Sequence, residues 1–412
     1  MQTTPKSMRL QIAIFGRTNV GKSSVLNMLA GQDVAITSPV PGTTTDVVEK
    51  SMELLPVGPV VFLDTAGLDD TGELGALRTE RARKIFDRAE VAILVLEPQS
   101  WGPWERDVVK TAAAKKIKII PLINKTDLAA PSAGLLAALK DLGLAPILCS
   151  AILKNVRETA VSEVKKRLLE ITDKNAGPRA ILGDLVKPGQ TAILIIPIDK
   201  EAPKGRIILP QVQAMRDLLD HGALFLTTRE VEYPLALAAL KAPPALVVCD
   251  SQVVDFMVKH TPAGVPCTTF SILFARFKGD LPAYAAGAAA IRSLRPGDRI
   301  VVLEGCSHHA IEDDIGRVKL PKWLRETVGG ELKIDTFAGH DLPIDLGVYK
   351  LAIQCGGCML TRTEILGRMG KTAQAGIPIT NYGTAISECK GVLERVLSPF
   401  PDALAAYRAV KK

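Results

Sequence analysis

Aromatic residues are scarce, at 4% of the 412 positions. Ala, Leu, Ile and Val therefore supply most of the 47% hydrophobic fraction. That composition suits α/β layers with buried parallel strands. No apolar run is long enough to cross a bilayer, so no membrane partner is expected. No long basic run stands out either. The net charge of +7, from 51 basic and 44 acidic residues, is too evenly spread to mark a nucleic-acid partner. There is no repeat of fixed period and no low-complexity tract. The start, MQTTPKSMRLQ, enters a strand without an apolar signal region. Seven scattered cysteines complete the picture of a cytoplasmic chain. In that reducing setting, clustered cysteines more often mean metal than disulfide.

The length exceeds one compact core and predicts two or three domains. Strand-like runs occur at 9–15, 59–63, 91–96, 117–123 and 146–149, with helical stretches such as 78–88 and 105–115 between them. This alternation predicts a mostly parallel sheet with helices on both faces. A polar helix at 154–172 closes that unit, and 173–180 reads as a linker. A second, smaller α/β unit begins with the strand near 189–198. It continues through a helix at 211–221 and strands at 223–227 and 245–249. A third α/β unit follows the loop 261–269, which holds Cys267. It reads as strand 270–276, helix 281–294, then strands 299–304, 331–337 and 349–354, with two helices after 361. The expected domains are 1–172, 180–262 and 265–412, and a homodimer contact is expected through the second.

Gly16-Arg17-Thr18-Asn19-Val20-Gly21-Lys22-Ser23 fits the phosphate-binding loop pattern between a strand and a helix. Backbone N–H groups of such a loop cradle phosphates at a helix N-terminus. Lys22 would reach the β- and γ-phosphates, Ser23 would ligate Mg²⁺, and Ser24 would adjoin the phosphates. Asp64-Thr65-Ala66-Gly67 ends a strand; Asp64 would hold Mg²⁺ through water and Gly67 would let the backbone meet the γ-phosphate. Asn124-Lys125-Thr126-Asp127 resembles the guanine-specificity motif, in which the Asp carboxylate accepts two hydrogen bonds from the guanine edge. Ser150-Ala151 resembles the last guanine-contact motif. Four such signals in order, each at the C-terminal end of a strand, predict a site for GTP and GDP, because ligands bind at that edge of open α/β sheets.

Pro41-Gly42-Thr43-Thr44-Thr45-Asp46 resembles the first switch of the TrmE–Era–EngA group of GTPases. The resemblance implies that Thr44, with Thr43 as alternative, reaches Mg²⁺ when GTP is bound. It also matches Asn19 to the asparagine that holds K⁺ in potassium-activated members, although Asn is common in turns anyway. Leu68 stands where Ras-like enzymes carry the catalytic glutamine. Slow hydrolysis assisted by a monovalent cation follows from that difference.

A second constellation lies far along the chain. Cys306-Ser307-His308 and Cys355-Gly356-Gly357-Cys358 each follow a predicted strand of one α/β unit. They could meet in one crevice. Three thiolates suit a [4Fe-4S] cluster with an open iron. Adding His308 would equally suit tetrahedral Zn²⁺. A redox Cys-x-x-Cys pair would leave Cys306 idle, and buried unligated cysteines are the bland alternative. Cys149, Cys249 and Cys389 read as core. His221 and His260 read as surface or capping residues; His309 and His340, in the third unit, could approach a metal but read rather as residues supporting one or as structural.

A GTPase domain joined to Cys-x-His and Cys-x-x-Cys resembles the [FeFe]-hydrogenase maturation GTPase family, HydF. The stretches 304–323, 354–360 and 376–386 look like its characteristic segments. The resemblance implies a GTPase domain, a dimerisation domain and a cluster-binding domain. It implies that Cys306, Cys355 and Cys358 ligate the cluster. It further implies a scaffold or carrier that takes a di-iron precursor from the radical-SAM maturases HydE and HydG and delivers it to apo-hydrogenase. This chain departs from the family where Gln354 replaces a histidine before the Cys-x-x-Cys. The fourth iron position would then fall to water, His308 or another exchangeable group. The competing readings are a ribosome- or tRNA-linked GTPase with structural zinc, and a redox enzyme using Cys355 and Cys358. The acidic Glu312, Asp313 and Asp314 after the Cys-x-His disfavour the former.

Overall fold

The computed structural model describes residues 4–31, 48–64, 75–175, 180–198, 207–305, 315–339 and 342–411. The chain divides into two compact units, 1–177 and 178–412.

The first unit alternates strands and helices: β1 (Leu10–Phe15), α1 (Lys22–Ala30), β2 (Val48–Leu54), β3 (Gly58–Asp64), α2 (Gly75–Arg88), β4 (Val91–Leu96), α3 (Pro103–Ala114), β5 (Lys118–Ile123), α4 (Ala133–Asp141), β6 (Ile147–Leu148) and α5 (Lys154–Asn175). Its sheet order is β2-β3-β1-β4-β5-β6. All pairings are parallel except β2 with β3. The strands are apolar on both faces, as a sheet covered on both sides requires. Ile12 and Ile14 of β1 pack with Val25 and Leu29 of α1 and Val164 and Leu168 of α5. Ala13 and Phe15 point the other way, against Ile85 and Phe86 of α2 and Val108 of α3. One strand thus feeds two cores because successive side chains alternate. The edge strand β2 escaped the sequence reading. Its sequence, VEKSMEL, is half charged, which is how exposed antiparallel edges usually read.

The second unit contains β7 (Thr191–Ile195), α6 (Leu209–Asp220), β8 (Leu224–Thr228), α7 (Tyr233–Ala238), β9 (Leu246–Cys249), α8 (Val254–His260), β10 (Cys267–Thr269), α9 (Phe270–Lys278) and α10 (Leu281–Ala289). It continues with β11 (Arg299–Leu303), α11 (Leu320–Val328), β12 (Lys333–Phe337), β13 (Leu351–Gln354), α12 (Arg362–Gln374), β14 (Ile379–Asn381), α13 (Tyr382–Cys389), α14 (Leu393–Val396) and α15 (Pro401–Val410). Two four-stranded parallel sheets result, ordered β10-β9-β7-β8 and β12-β11-β13-β14. A single buried cluster runs from Ile181 to Tyr407 and takes residues from both sheets.

Two expectations are corrected here. Residues 270–276, read as a strand, form α9. The Thr269 hydroxyl oxygen caps it by accepting the Ile272 N–H at 3.2 Å. Short apolar runs do not distinguish buried strand from buried helix by periodicity, and this run was one of them. Cys267, read as a loop residue, lies in β10 and is fully buried.

Glu388 ties the end of this unit together. Its buried carboxylate accepts the Tyr407 hydroxyl at 2.7 Å and pairs with Arg292. Hydrogen bonds to a buried charge contribute more than neutral ones. Tyr407→Phe is therefore expected to lower unfolding free energy by about 1.5–3 kcal/mol, read from the urea midpoint of the full chain.

Candidate nucleotide and cysteine sites

In the first unit the loop after β1 enters α1 through Gly21, whose φ of 95° is left-handed. A Cβ there would lie 2.4 Å from the Asn124 side-chain nitrogen, so only glycine fits. Asn124, buried at the end of β5, donates its Nδ2–H to the Val20 carbonyl at 3.0 Å. The phosphate-loop candidate and the base-motif candidate are thereby locked to each other. Asn19 also sits at a left-handed φ, 64°, a conformation that asparagine tolerates. Gly16 is packed against Val20 and the Val95 carbonyl. Lys22, the first residue of α1, donates to the carbonyls of Gly16 at 2.6 Å and Arg17 at 2.7 Å. Its ammonium is held across the loop. Ser23 and Ser24 are exposed on the first turn of α1.

The other loops meet at the same sheet edge. Lys125 pairs with Glu97 at 2.6 Å. Thr126 binds the Cys149 carbonyl through both its N–H and its hydroxyl, joining the segments after β5 and β6. Asp127 is exposed there. Ser150 is buried, and its hydroxyl oxygen accepts the N–H groups of Ile152 and Leu153. Ala151 follows it, partly exposed. Asp64 is the last residue of β3, beside Ile14 in register. Thr43, Thr44, Gly67 and Leu68 lie outside the described residues.

A clamp absent from the sequence reading braces this loop. Arg17 grips Glu105 of α3 with two bonds, Nε at 2.6 Å and Nη2 at 2.9 Å. Glu105 is 1% exposed and also accepts the Gly102 N–H at 2.8 Å. Burial alone would raise its pKa. The Arg17 hydrogen bonds, helped by backbone N–H groups and the guanidinium charge, outweigh that and hold it below the usual carboxylate range. Nothing in the sequence linked positions 17 and 105.

In the second unit Cys355 and Cys358 occupy the loop leaving β13. Neighbouring strands β11 and β13 end side by side, with Leu303 opposite Gln354. Gly305, the residue before Cys306, donates its N–H to Cys355 Sγ at 3.1 Å. The Gly357 N–H and Gln354 Nε2–H reach the same sulfur at 3.4 Å. Gly357 has φ 64°, and a Cβ there would strike Ile365 at 2.6 Å. Burial pushes the Cys355 thiol up, and the Gly357 N–H works against that shift. Cys355 and Cys358 are both partly exposed, and the N–H groups converging on the Cys355 sulfur fit the thiolate side of a metal or iron–sulfur site. Cys306 and His308, with His309 and His340, lie outside the described residues. Among the described residues no three metal-ligating side chains gather.

Gln354 is 1% exposed and turned inward. Its Nε2 donates to the Leu303 carbonyl at 3.0 Å, and its Oε1 accepts from Arg368 at 3.1 Å. Lys278, from α9, reaches the loop from beneath. Its Nζ donates to the carbonyls of Gly357 at 2.8 Å and Leu360 at 2.9 Å, and to that of Cys358 at 3.4 Å. Burial lowers its pKa to about 8, with Cys358, Cys355 and Glu364 opposing the shift. Neither Lys278 nor Arg368 carries a sequence signal beyond being a charge in an apolar helix pattern.

The remaining cysteines are structural. Burial pushes the thiols of Cys149, Cys267 and Cys389 up to about 11 and that of Cys249 well above its ordinary value, so they stay protonated at neutral pH. His221 and His260 each contact a carbonyl four residues back, at Asp217 and Phe256, near helix ends. No helix among the described residues is long and apolar enough to cross a membrane.

Residues 11–125 match the family model described as 50S ribosome-binding GTPase. Residues 181–279 match the hydrogen maturase F dimerization domain, and residues 282–399 the hydrogen maturase F tetramerization domain. The chain is similar to the tRNA modification GTPase MnmE of Synechococcus sp. (strain JA-3-3Ab), 44% identical over 121 residues, which are 29% of this chain and 26% of that protein. MnmE of Nitrosospira multiformis is 38% identical over 118 residues, 28% of this chain and 26% of that protein. The chain thus spans about a quarter of the length of the curated relatives it matches. The solved G domain of the T. maritima FeoB iron transporter is 22% identical, with TM-score 0.29, covering 40% of this chain and 99% of that one. The first unit is a GTPase domain that takes GTP or GDP with Mg²⁺ and hydrolyses GTP. The second carries domains of oligomerising type.

The Arg17–Glu105 clamp yields a signed pH dependence. A carboxyl whose folded pKa is depressed stabilises the fold above its unfolded value, and the effect is lost as pH falls through the folded one. Glu105→Gln is expected to weaken the GTPase domain by about 1–3 kcal/mol at neutral pH. The gap should close below about pH 4, near the ordinary Glu value. Urea unfolding across pH, followed by the fluorescence of Trp101, just before α3, and Trp104, in its first turn, reads this out.

Proposed function

This chain belongs to the hydrogen maturase F family, and we propose that it is a GTP-gated scaffold that holds a [4Fe-4S] cluster and delivers a di-iron precursor to apo-[FeFe]-hydrogenase. One observation carries the reading: Cys355 sits at the parallel-sheet edge with N–H groups from Gly305, Gln354 and Gly357 converging on its sulfur. N–H groups aimed at sulfur stabilise thiolate and cluster charge. Gly305, one of these donors, immediately precedes Cys306 in the chain. Cys306, Cys355 and Cys358 would hold the cluster. The cluster would supply an iron position at which the incoming di-iron unit docks. Gln354 takes no part as ligand, because both ends of its amide are engaged inside the fold. Water or His308 would complete the fourth position. HydE and HydG would load the scaffold, in a cytoplasmic homodimer built on residues 180–262, with 265–412 as the cluster domain and 1–172 as the GTPase domain.

In the GTPase domain, Gly16, Gly21, Lys22, Ser23 and Ser24 would bind phosphates, with Ser23, Asp64 and Thr44 around Mg²⁺. Asn124, Lys125, Asp127, Ser150 and Ala151 would bind guanine. The Lys22 ammonium already faces the loop's carbonyls, and a bound phosphate would draw it from them. Asn19 would hold K⁺ in place of a positive finger, and Gly67 would meet the γ-phosphate. Nucleotide state would move the switches around 41–46 and 64–75 and so alter partner contacts.

Three measurements decide. Protein purified anaerobically should be brown, and Cys355→Ala should lose the chromophore; a colourless protein with bound zinc would instead point to a structural zinc site. Lys22→Ala should abolish GTP binding while leaving iron content unchanged; loss of both would show that the two sites are not separable. Hydrolysis should be faster in KCl than in NaCl at equal ionic strength, and equal rates would remove K⁺ from the mechanism.

A further inference from the structure

Lys278 is an ammonium in an unusual place. It is 2% exposed, at the last turn of a helix whose other buried residues are Phe270, Ile272, Leu273, Phe274 and Ala275. A buried charge is costly unless its hydrogen bonds are made. Here they are made. An ammonium has three N–H bonds, and three carbonyls receive them: Gly357, Cys358 and Leu360. All three belong to the loop that carries Cys355 and Cys358. The Phe274 ring lies 5.9 Å from Nζ and adds a cation–π contact.

The loop answers in kind. Arg362, just beyond it, donates from Nη1 to the carbonyls of Phe277 at 3.2 Å and Gly279 at 3.0 Å. The first is in the last turn of α9 and the second belongs to its C-cap residue, where carbonyls lack intrahelical partners. Helix end and cysteine loop therefore clasp each other through two cations, each bound to the other segment's backbone. A methionine would fill the space of Lys278 without the cost of burying a charge. The ammonium has a use where negative charge gathers beside it, and Cys355 and Cys358, once they bind a metal as thiolates, would supply that charge.

We propose that Lys278 is a positioning residue of the Cys355–Cys358 loop, bracing its backbone and offsetting the negative charge of a thiolate-bound iron–sulfur group. The charge-offset half rests on the cluster reading above; the bracing half does not. The α9 segment lies in the region matching the dimerization domain, so the clasp also joins that region to the cysteine loop.

The test uses the full chain with Lys278→Met and Lys278→Gln. Methionine removes both charge and donors; glutamine removes the charge and keeps an amide donor. Circular dichroism establishes that each variant folds, and Lys278→Gln carries the test if Lys278→Met does not. In cluster-free protein, backbone amides of 355–361 should exchange with deuterium roughly tenfold faster in Lys278→Met, the factor that follows from losing one net hydrogen bond's worth of local stability. In anaerobically reconstituted protein, the cluster midpoint potential should move to more negative values in both variants, because a positive charge beside the cluster favours its reduced form. Unchanged exchange overturns the brace. Faster exchange with an unchanged potential overturns the proposal as stated and leaves a purely structural lysine. A wild-type chain that takes up no iron sinks the cluster reading itself, while the exchange arm still decides whether Lys278 braces the loop.

Discussion

A parallel strand cannot turn straight back to its neighbour, so its chain leaves the sheet at the carboxyl edge and crosses over. Each such exit leaves backbone groups without ladder partners at one rim of the sheet. In this chain those exits hold the candidate site residues. Gly16 follows β1, Asn124 follows β5, Ser150 lies just past β6, and Cys355 follows β13. The polar groups converge because the strands run the same way, and the strands run the same way because both of their faces are apolar and covered.

A second device recurs at these rims. Cations are held by backbone carbonyls and not only by carboxylates. Lys22 spans the carbonyls of Gly16 and Arg17. Lys278 spans three carbonyls of the cysteine loop, and Arg368 reaches the carbonyls of Gly339 and Glu304 as well as Gln354. A cation bound this way satisfies a loop's stray acceptors. Arg17 is held by a carboxylate instead: Glu105 grips it and stiffens the loop.

Much of the first unit was readable because its signals are local. A glycine at φ 95° before a helix, an asparagine after a buried strand and alternating apolar runs are all written in adjacent residues. The misreadings came from weak local contrast. SILFARFK carries no period that separates strand from helix; Thr269 decides the matter by capping. VEKSMEL went unassigned because its polar, charged sequence lacks the apolar run of a buried strand. The pair Arg17–Glu105 was invisible, since 88 positions separate its members and no pattern connects them.

Sequence by itself determined the sheet's direction, the order of the GTPase motifs and the presence of a Cys-Gly-Gly-Cys turn after a strand. Each of those follows from residues near one another in the chain, where backbone geometry and side-chain period act directly. Tertiary structure decided which groups face that turn. It placed Gln354 inward on Arg368, set Gly305 against Cys355 and drove Lys278 beneath the loop. Those partners come from other strands and helices, and only the packing of one sheet against its helices brings them within hydrogen-bond reach.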